Sequence, residues 1–385
     1  MKRVSEKVKD IVDVCPFAQV YDLAADANLT LDAYRFTEIT AGLMAKWLDF
    51  VAGVKPGQGA AMALAGLRGV GKSHFLAVVG ALVNQPELRG RITDPHVASS
   101  AERLPRRSGK VIFVRRGSGE SLVDELREAI AGTFGRDPSE LTDSVNELLL
   151  MVFERGGEMP LLLFDTAVGR DARVARDDGP VLSQIAETAR TMGLFVGVAL
   201  DDDISGADGA NSSIVTNFSI DYLDQEHLYK IVDNHIFTKR AKQLPLLHEI
   251  YEEYRATIPG FRWSEQRFTS LYPLHPETLE IAPLIRLYIQ EFSLLGFAAE
   301  TGVKILGRPA NSLIGLDELF DGVEQRLRNS PDLAEVFAAY DELEREVIGK
   351  GPVRQRLMAK LALKGLFVLS LNVHGSTAAE IAAAM

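Results

Sequence analysis

The chain has 385 residues, a formal net charge of −11, 46% apolar and 25% charged residues, and one cysteine. This suits a water-soluble globular protein of two or three domains; it excludes an internal disulfide or a Cys-rich metal site, and it argues against a surface that coats nucleic acid as a whole. No run approaches ~18 uninterrupted apolar residues and no apolar stretch follows the basic start MKRVSEKVKD, so neither a membrane span nor a secretion signal is expected, and a cytoplasmic location is.

The first fifty or so residues read as mostly helical, with Cys15 expected as a small buried hydrophobe. TEITAGLMAKWLDFV puts Ile39, Leu43, Trp47 and Val51 at helical spacing, an apolar face that should pack on the body. GVKPGQG then breaks the chain. From there strands and helices alternate. AAMALAG, KVIFV (110–114), PLLLF (160–164) and LFVGVAL (194–200) are short apolar strands. Helix patterns separate them: SHFLAVVGALVN, SLVDELREAIAGTF, LTDSVNELLLMVFER and VLSQIAETARTM. Continuous apolar strands joined by helices imply a parallel sheet with helices on both faces.

After about residue 220 the strands stop and helix patterns follow one another to PDLAEVFAAYDELEREVI. Composition shifts again at GKGP (349–352). VRQRLMAKLALKGLFVLSL and STAAEIAAAM then read as a helix, a turn and the opening of another helix, with Ser376 or Thr377 as its cap and Glu380 in its first turn. The expected division is a helical segment over 1–55, an α/β core over 56–220, a helical domain over 221–346, and a last piece over 347–385 that reads as truncated. Two local basic runs stand out against the acidic whole. One is Arg103, Arg106, Arg107, Lys110, Arg115 and Arg116. The other is Lys350, Arg354, Arg356, Lys360 and Lys364, with no acid between Glu346 and Glu380.

GLRGVGKS (66–73) matches the phosphate-loop pattern G-x-x-x-x-G-K-[ST] in full, between a strand and a helix as that pattern requires. Gly66, Gly69 and Gly71 let the backbone curl so that its N–H groups face phosphates. The following helix adds the positive end of its dipole. Lys72 is expected on the β- and γ-phosphates of ATP and Ser73 on Mg2+; Val70 and His74 complete the set of residues bordering the nucleotide. PLLLF running into Asp165 is the second magnesium element.

In many ATPases a glutamate follows that aspartate and polarises the attacking water; here the residue is Thr166. A hydroxyl is no general base at neutral pH. Glu120, beyond KVIFV, is a candidate to orient the water, or else it is an acid favoured by the dipole of the helix after it. Asp201, Asp202 and Asp203 follow the fourth strand, as sensor or magnesium-holding groups or as a solvated loop. Arg170, Arg173 and Arg176 offer an arginine finger across a subunit boundary, or pair with neighbouring aspartates.

The phosphate loop, the Asp-Thr second element, LYPLHPETLE (271–280), SLIGLDELFD (312–321) and the terminal LFVLSL…GSTAAEIAAAM together resemble the N-terminal part of the large P-loop ATPases of BREX-type and related bacterial phage-defence systems. The order of elements is also similar to initiator-type AAA+ ATPases. That resemblance implies an AAA+-like P-loop core, a helical lid and the start of a winged-helix domain. It implies work on double-stranded DNA alongside other defence proteins that modify or cleave it, and a homo-oligomer. It makes Arg286 the lid's basic sensor of the γ-phosphate, beside the plainer reading of a surface arginine. His275, between two prolines, reads as structural. Two functions follow: an ATP-driven motor or switch on DNA, or a nucleotide-dependent scaffold or oligomerising signal that recruits proteins with little hydrolysis.

Overall fold

The computed structural model describes the chain except residues 1–4, 18–25, 118, 158, 166–177, 202–209 and 373–374, and except the side chains of 201 and 210–213. It divides into two compact units, Val20–His227 and Met1–Gln19 with Leu228–Met385. Among the described residues no helix is long and apolar enough to cross a membrane.

Seven strands are described, in chain order β1 (Val12–Val14), β2 (Ala60–Gly66), β3 (Val111–Arg115), β4 (Leu161–Asp165), β5 (Phe195–Asp201), β6 (Ser219–Tyr222) and β7 (Phe237–Lys239). In the first unit five of them form a parallel sheet of order β3-β4-β5-β2-β6. The four strands expected from the sequence fall within a residue of their observed bounds. The fifth, β6, was not anticipated.

Alternate strand residues serve opposite faces. Ala61, Ala63, Ala65, Ile112, Val114, Leu162, Phe164, Val196 and Val198 share one core with helices Leu122–Phe134, Val145–Arg155 and Gly179–Met192. The opposite face receives the helices Glu38–Gly53 and Lys72–Asn84. Trp47 stands edge-on to Phe75 and Phe195, with centroids 5.3 and 5.9 Å away. Gly80 lets Lys72–Asn84 approach the sheet closely, since a Cβ there would lie 3.1 Å from Leu163 Cδ1. This is the α/β class expected from the sequence: a parallel sheet covered on both faces, with the phosphate-loop motif directly after β2.

The helix Glu38–Gly53 corrects the expected apolar face. Thr40, Ala41, Met44, Ala45, Trp47, Leu48 and Val51 are buried, whereas Ile39 and Leu43 are only half-buried. Trp47 fixes the rotation, because its indole N–H donates to Asp221 Oδ2 at 2.9 Å while its ring fills the gap above Gly197.

In the second unit, β1 and β7 pair antiparallel, Val12 opposite Lys239 and Val14 opposite Phe237. This corrects one expectation, since strands do not end at 220, and adds a short strand to an N-terminal segment expected to be mostly helical. Cys15, just past β1, is half-buried. The helices of this unit pack around aromatic clusters, one of them Phe320, Phe337, Tyr340 and Phe367. His275 is 1% exposed and caps the helix Pro276–Tyr288, its Nδ1 accepting the Glu277 N–H at 3.1 Å. Burial pulls its pKa down to about 4, so the ring is neutral and structural, as expected. Thr377 caps the helix Ala378–Ala384 in a reciprocal box with Glu380, also as expected.

Candidate nucleotide site

The loop that leaves β2 ends at Gly71, the cap of the helix Lys72–Asn84. Gly69 and Gly71 have φ of 85° and 102°, left-handed conformations that cost a residue with a Cβ dearly. This curl gathers successive N–H groups into an anion-binding concavity at the helix's positive end. The Val70 side chain is buried, which anchors the loop and leaves Val70 its backbone for a ligand. Lys72 is 6% exposed, and its Nζ donates to the Gly66 and Leu67 carbonyls at 2.7 and 2.8 Å.

β2 and β4 are not neighbours, because β5 lies between them. The helix Lys72–Asn84 bridges that gap, since it packs over β4 with Gly80 against Leu163, and in its first turn Ser73 Oγ donates to Asp165 Oδ1 at 2.7 Å. A hydroxyl and a carboxylate at one point are hard oxygen donors of the kind Mg2+ takes, and the small ion keeps several waters or phosphate oxygens besides. The residues present thus fit the ion.

β3 ends beside Asp165, with Arg115 opposite it and the Arg116 N–H donating to the Asp165 carbonyl at 2.9 Å. The loop beyond is pinned by Glu125, 2% exposed, which accepts from the Gly117 and Gly119 N–H groups at 2.5 and 3.0 Å. Ser121 caps the next helix, which starts at Leu122. Glu120 therefore stands outside that helix, exposed, on a loop anchored next to Asp165. Arg116 does a second job: its Nε donates to Asp178 Oδ2 at 2.8 Å in a mostly buried pair. It holds the residue before and the residue after the stretch 166–177.

His74 points elsewhere. Its ring nitrogen meets the Thr30 carbonyl at 2.7 Å and its face meets Tyr34 edge-on at 4.9 Å. Burial lowers its pKa, so the ring brings no positive charge to a phosphate. What His74 offers there is its backbone N–H. Arg286 lies in the other unit, on Pro276–Tyr288, with Nη1 donating to the Phe292 carbonyl at 2.7 Å. Asp201 ends β5 opposite Gly66. Thr166, Arg170, Arg173, Arg176, Asp202 and Asp203 lie outside the described residues.

Sequence reasoning missed three groups around this site: Glu125, the Arg116–Asp178 pair and His227, a buried ring whose Nε2 lies 4.0 Å from where a Cβ on Gly71 would be. Arg116 had been noticed only as part of a basic run. The other two carry no local signal, since a carboxylate in the first turn of a helix and a histidine in a polar stretch are ordinary.

The second basic run also changes meaning. Lys350 pairs with Glu346, Lys360 with Glu344, and Lys364 with Asp321 at 2.6 Å. Arg354 and Arg356 remain exposed on the helix Val353–Ser370.

No protein-family model matches the chain, and no curated protein sequence does. Solved structures are similar to it at low identity. An Aeropyrum pernix ORC1 protein in complex with DNA is 17% identical, with 93% of this chain and 78% of that one covered and a TM-score of 0.36. An AMPPCP-bound DnaA from Aquifex aeolicus is 14% identical, covering 94% and 88%, with a TM-score of 0.34. A Cdc6p from Pyrobaculum aerophilum is 11% identical, covering 93% and 87%, with a TM-score of 0.37. Likeness at these scores bears on none of the residue assignments above.

Proposed function

We propose that the chain binds Mg-ATP through residues 66–73 and Asp165, and turns it over slowly. The observation that carries this reading is the Ser73–Asp165 hydrogen bond, which joins the start of the helix after the phosphate loop to the end of β4. Backbone N–H groups of Gly69 to Ser73 hold the phosphates. Lys72 exchanges the Gly66 and Leu67 carbonyls for phosphate oxygens, a stronger class of acceptor because they are ionised. Ser73 and Asp165 would hold Mg2+, which draws charge off the transferred phosphoryl group when bound. Glu120 orients the attacking water from its anchored loop. Thr166 lacks a carboxylate at the position next to Asp165, and that limits the rate.

In this proposal residues 221–346 act as a lid, Arg286 as its basic sensor, and 347–385 as the beginning of a winged helix. The biological setting we propose is DNA-directed antiphage defence in the cytoplasm, with other defence proteins, duplex DNA and further copies of the chain as partners. That setting rests on the sequence resemblance alone. ATP turnover measured with and without duplex DNA, on the chain and on Lys72→Ala, tests it. DNA-stimulated turnover that Lys72→Ala abolishes supports it; turnover indifferent to DNA removes the DNA-coupled part.

A second reading, a nucleotide-dependent scaffold that recruits proteins, gains from one observation. Three of the five cations between 350 and 364 are already paired with Glu344, Glu346 and Asp321, which leaves little charge for a phosphate backbone.

A further inference from the structure

β3 ends at Arg115, opposite Asp165, the last residue of β4. One further bond follows, from the Arg116 N–H to the Asp165 carbonyl at 2.9 Å. The residue that makes it is itself fixed. The Arg116 side chain is 13% exposed and donates through Nε to Asp178 Oδ2 at 2.8 Å, and the Asp178 side chain is 8% exposed. Asp178 stands at the cap position of the helix Gly179–Met192, where an aspartate ordinarily accepts the helix's first N–H groups, yet its side chain makes no cap bond. The carboxylate is turned to Arg116 instead. Taking both charges out of water adds little net stability compared with two apolar side chains of similar volume. A buried pair of this kind is better explained by the geometry it fixes.

We propose that Arg116 is a positioning residue for the magnesium site: anchored by Asp178, it holds the Asp165 backbone so that the carboxylate stays beside Ser73 Oγ, where the ion would be held. This rests on reading Ser73 and Asp165 as the metal's ligands. The anchoring matters because Asp165 ends its strand. A small rotation of a strand's last residue swings its side chain away, and an ion that demands near-octahedral geometry tolerates little of that. In the sequence Arg116 is one cation of a basic run and Asp178 one acid of RDDG. The pair spans 62 positions and becomes visible only once β3 is laid beside β4.

The test replaces the pair as a whole, Arg116→Met with Asp178→Leu, so that neither charge is left buried alone. Melting of the nucleotide-free proteins reads the fold. Titration with a fluorescent ATP analogue, in Mg2+ and in excess chelator, reads the metal site. The double variant should melt no lower than the unaltered chain. It should bind the analogue about tenfold more weakly in Mg2+, the lower end of what groups that orient a metal's ligands contribute, and equally well in chelator. Arg116→Gln with Asp178→Asn stands in where the apolar pair impairs folding, with the same pattern of binding expected. Equal affinity in Mg2+ for the double variant and the unaltered chain overturns the inference. An equal loss in both buffers, or loss of folding in both double variants, overturns it as well, since the pair would then hold the fold rather than the metal's carboxylate. An unaltered chain whose affinity ignores Mg2+ is a different result: it overturns the metal reading of Ser73 and Asp165, and this inference falls with it.

Discussion

Ser73, in the first turn of the helix Lys72–Asn84, and Asp165, at the end of β4, are 92 positions apart, yet their side chains meet at 2.7 Å. That meeting turns two separate sequence motifs into one site. Ser73→Ala should therefore act through the metal. ATP-analogue affinity in Mg2+ should fall about tenfold, and affinity in excess chelator should match the unaltered chain. Fluorescence titration in the two buffers reads this directly. The same Mg2+ dependence in both proteins would remove Ser73 from the metal site.

Turnover should be slow, below the ~1 s⁻¹ that marks the lower end of ordinary enzymes. Thr166→Glu should leave ATP affinity unchanged and raise the rate. Glu120→Gln should lower it by about 10², the lower end of what a positioned base contributes, again with affinity unchanged. Phosphate-release assays on the three proteins decide. A native rate of tens per second would show that Thr166 is no bottleneck, and a Glu120→Gln enzyme as fast as the parent would exclude Glu120.

Acid should destabilise the fold partly through His275. Its folded pKa is pulled down to about 4 by burial, against the ordinary 6.5. Between those values the unfolded chain takes up a proton that the folded chain refuses, so stability present above about 6.5 is lost as pH falls toward 4. The 2.5-unit gap corresponds to about 3 kcal/mol. His74 and His227 shift in the same direction for the same reason, so one variant removes only part of the slope. Denaturant unfolding at pH 7 and pH 5 should show a smaller difference in His275→Gln than in the parent. An unchanged difference would mean the His275 ring is protonated inside the fold.

The helix Val353–Ser370 should bind duplex DNA weakly. With Lys350, Lys360 and Lys364 paired, Arg354 and Arg356 are the cations left for phosphates. Two phosphate contacts predict a slope of about −2 in log affinity against log salt. Gel-shift titration over a salt series measures it, and replacing both arginines by alanine should flatten it. An Arg354, Arg356 double variant that binds as the parent does, at every salt concentration, would make the helix structural.

The sequence made the phosphate loop legible because its chemistry is contiguous: eight residues carry the turn, the charge and the metal hydroxyl. β2, β4 and β5 were legible because burial on both faces forces continuous apolar runs, and the edge strand β3 because its half-buried positions, Val111 and Phe113, are apolar too. β6 escaped because only four residues of it pair, at the sheet's edge and with half its side chains exposed. β1 and β7 escaped because each is three residues long and its partner is more than two hundred positions away. The apolar face of Glu38–Gly53 was half right: Trp47 and Val51 are buried as expected, but in the first two turns Thr40, Ala41 and Met44 are buried where Ile39 and Leu43 were expected. The acid-free run at 347–379 misled because its partners Asp321, Glu344 and Glu346 come from outside the window.

The central claim is that the loop at 66–73 is an ATP site, and Lys72 tests it most directly. Calorimetric titration of Mg-ATP into the unaltered chain and into Lys72→Ala should give saturable one-site binding in the first and none in the second, with the two nucleotide-free proteins melting alike. Equal affinity in both proteins would contradict the account.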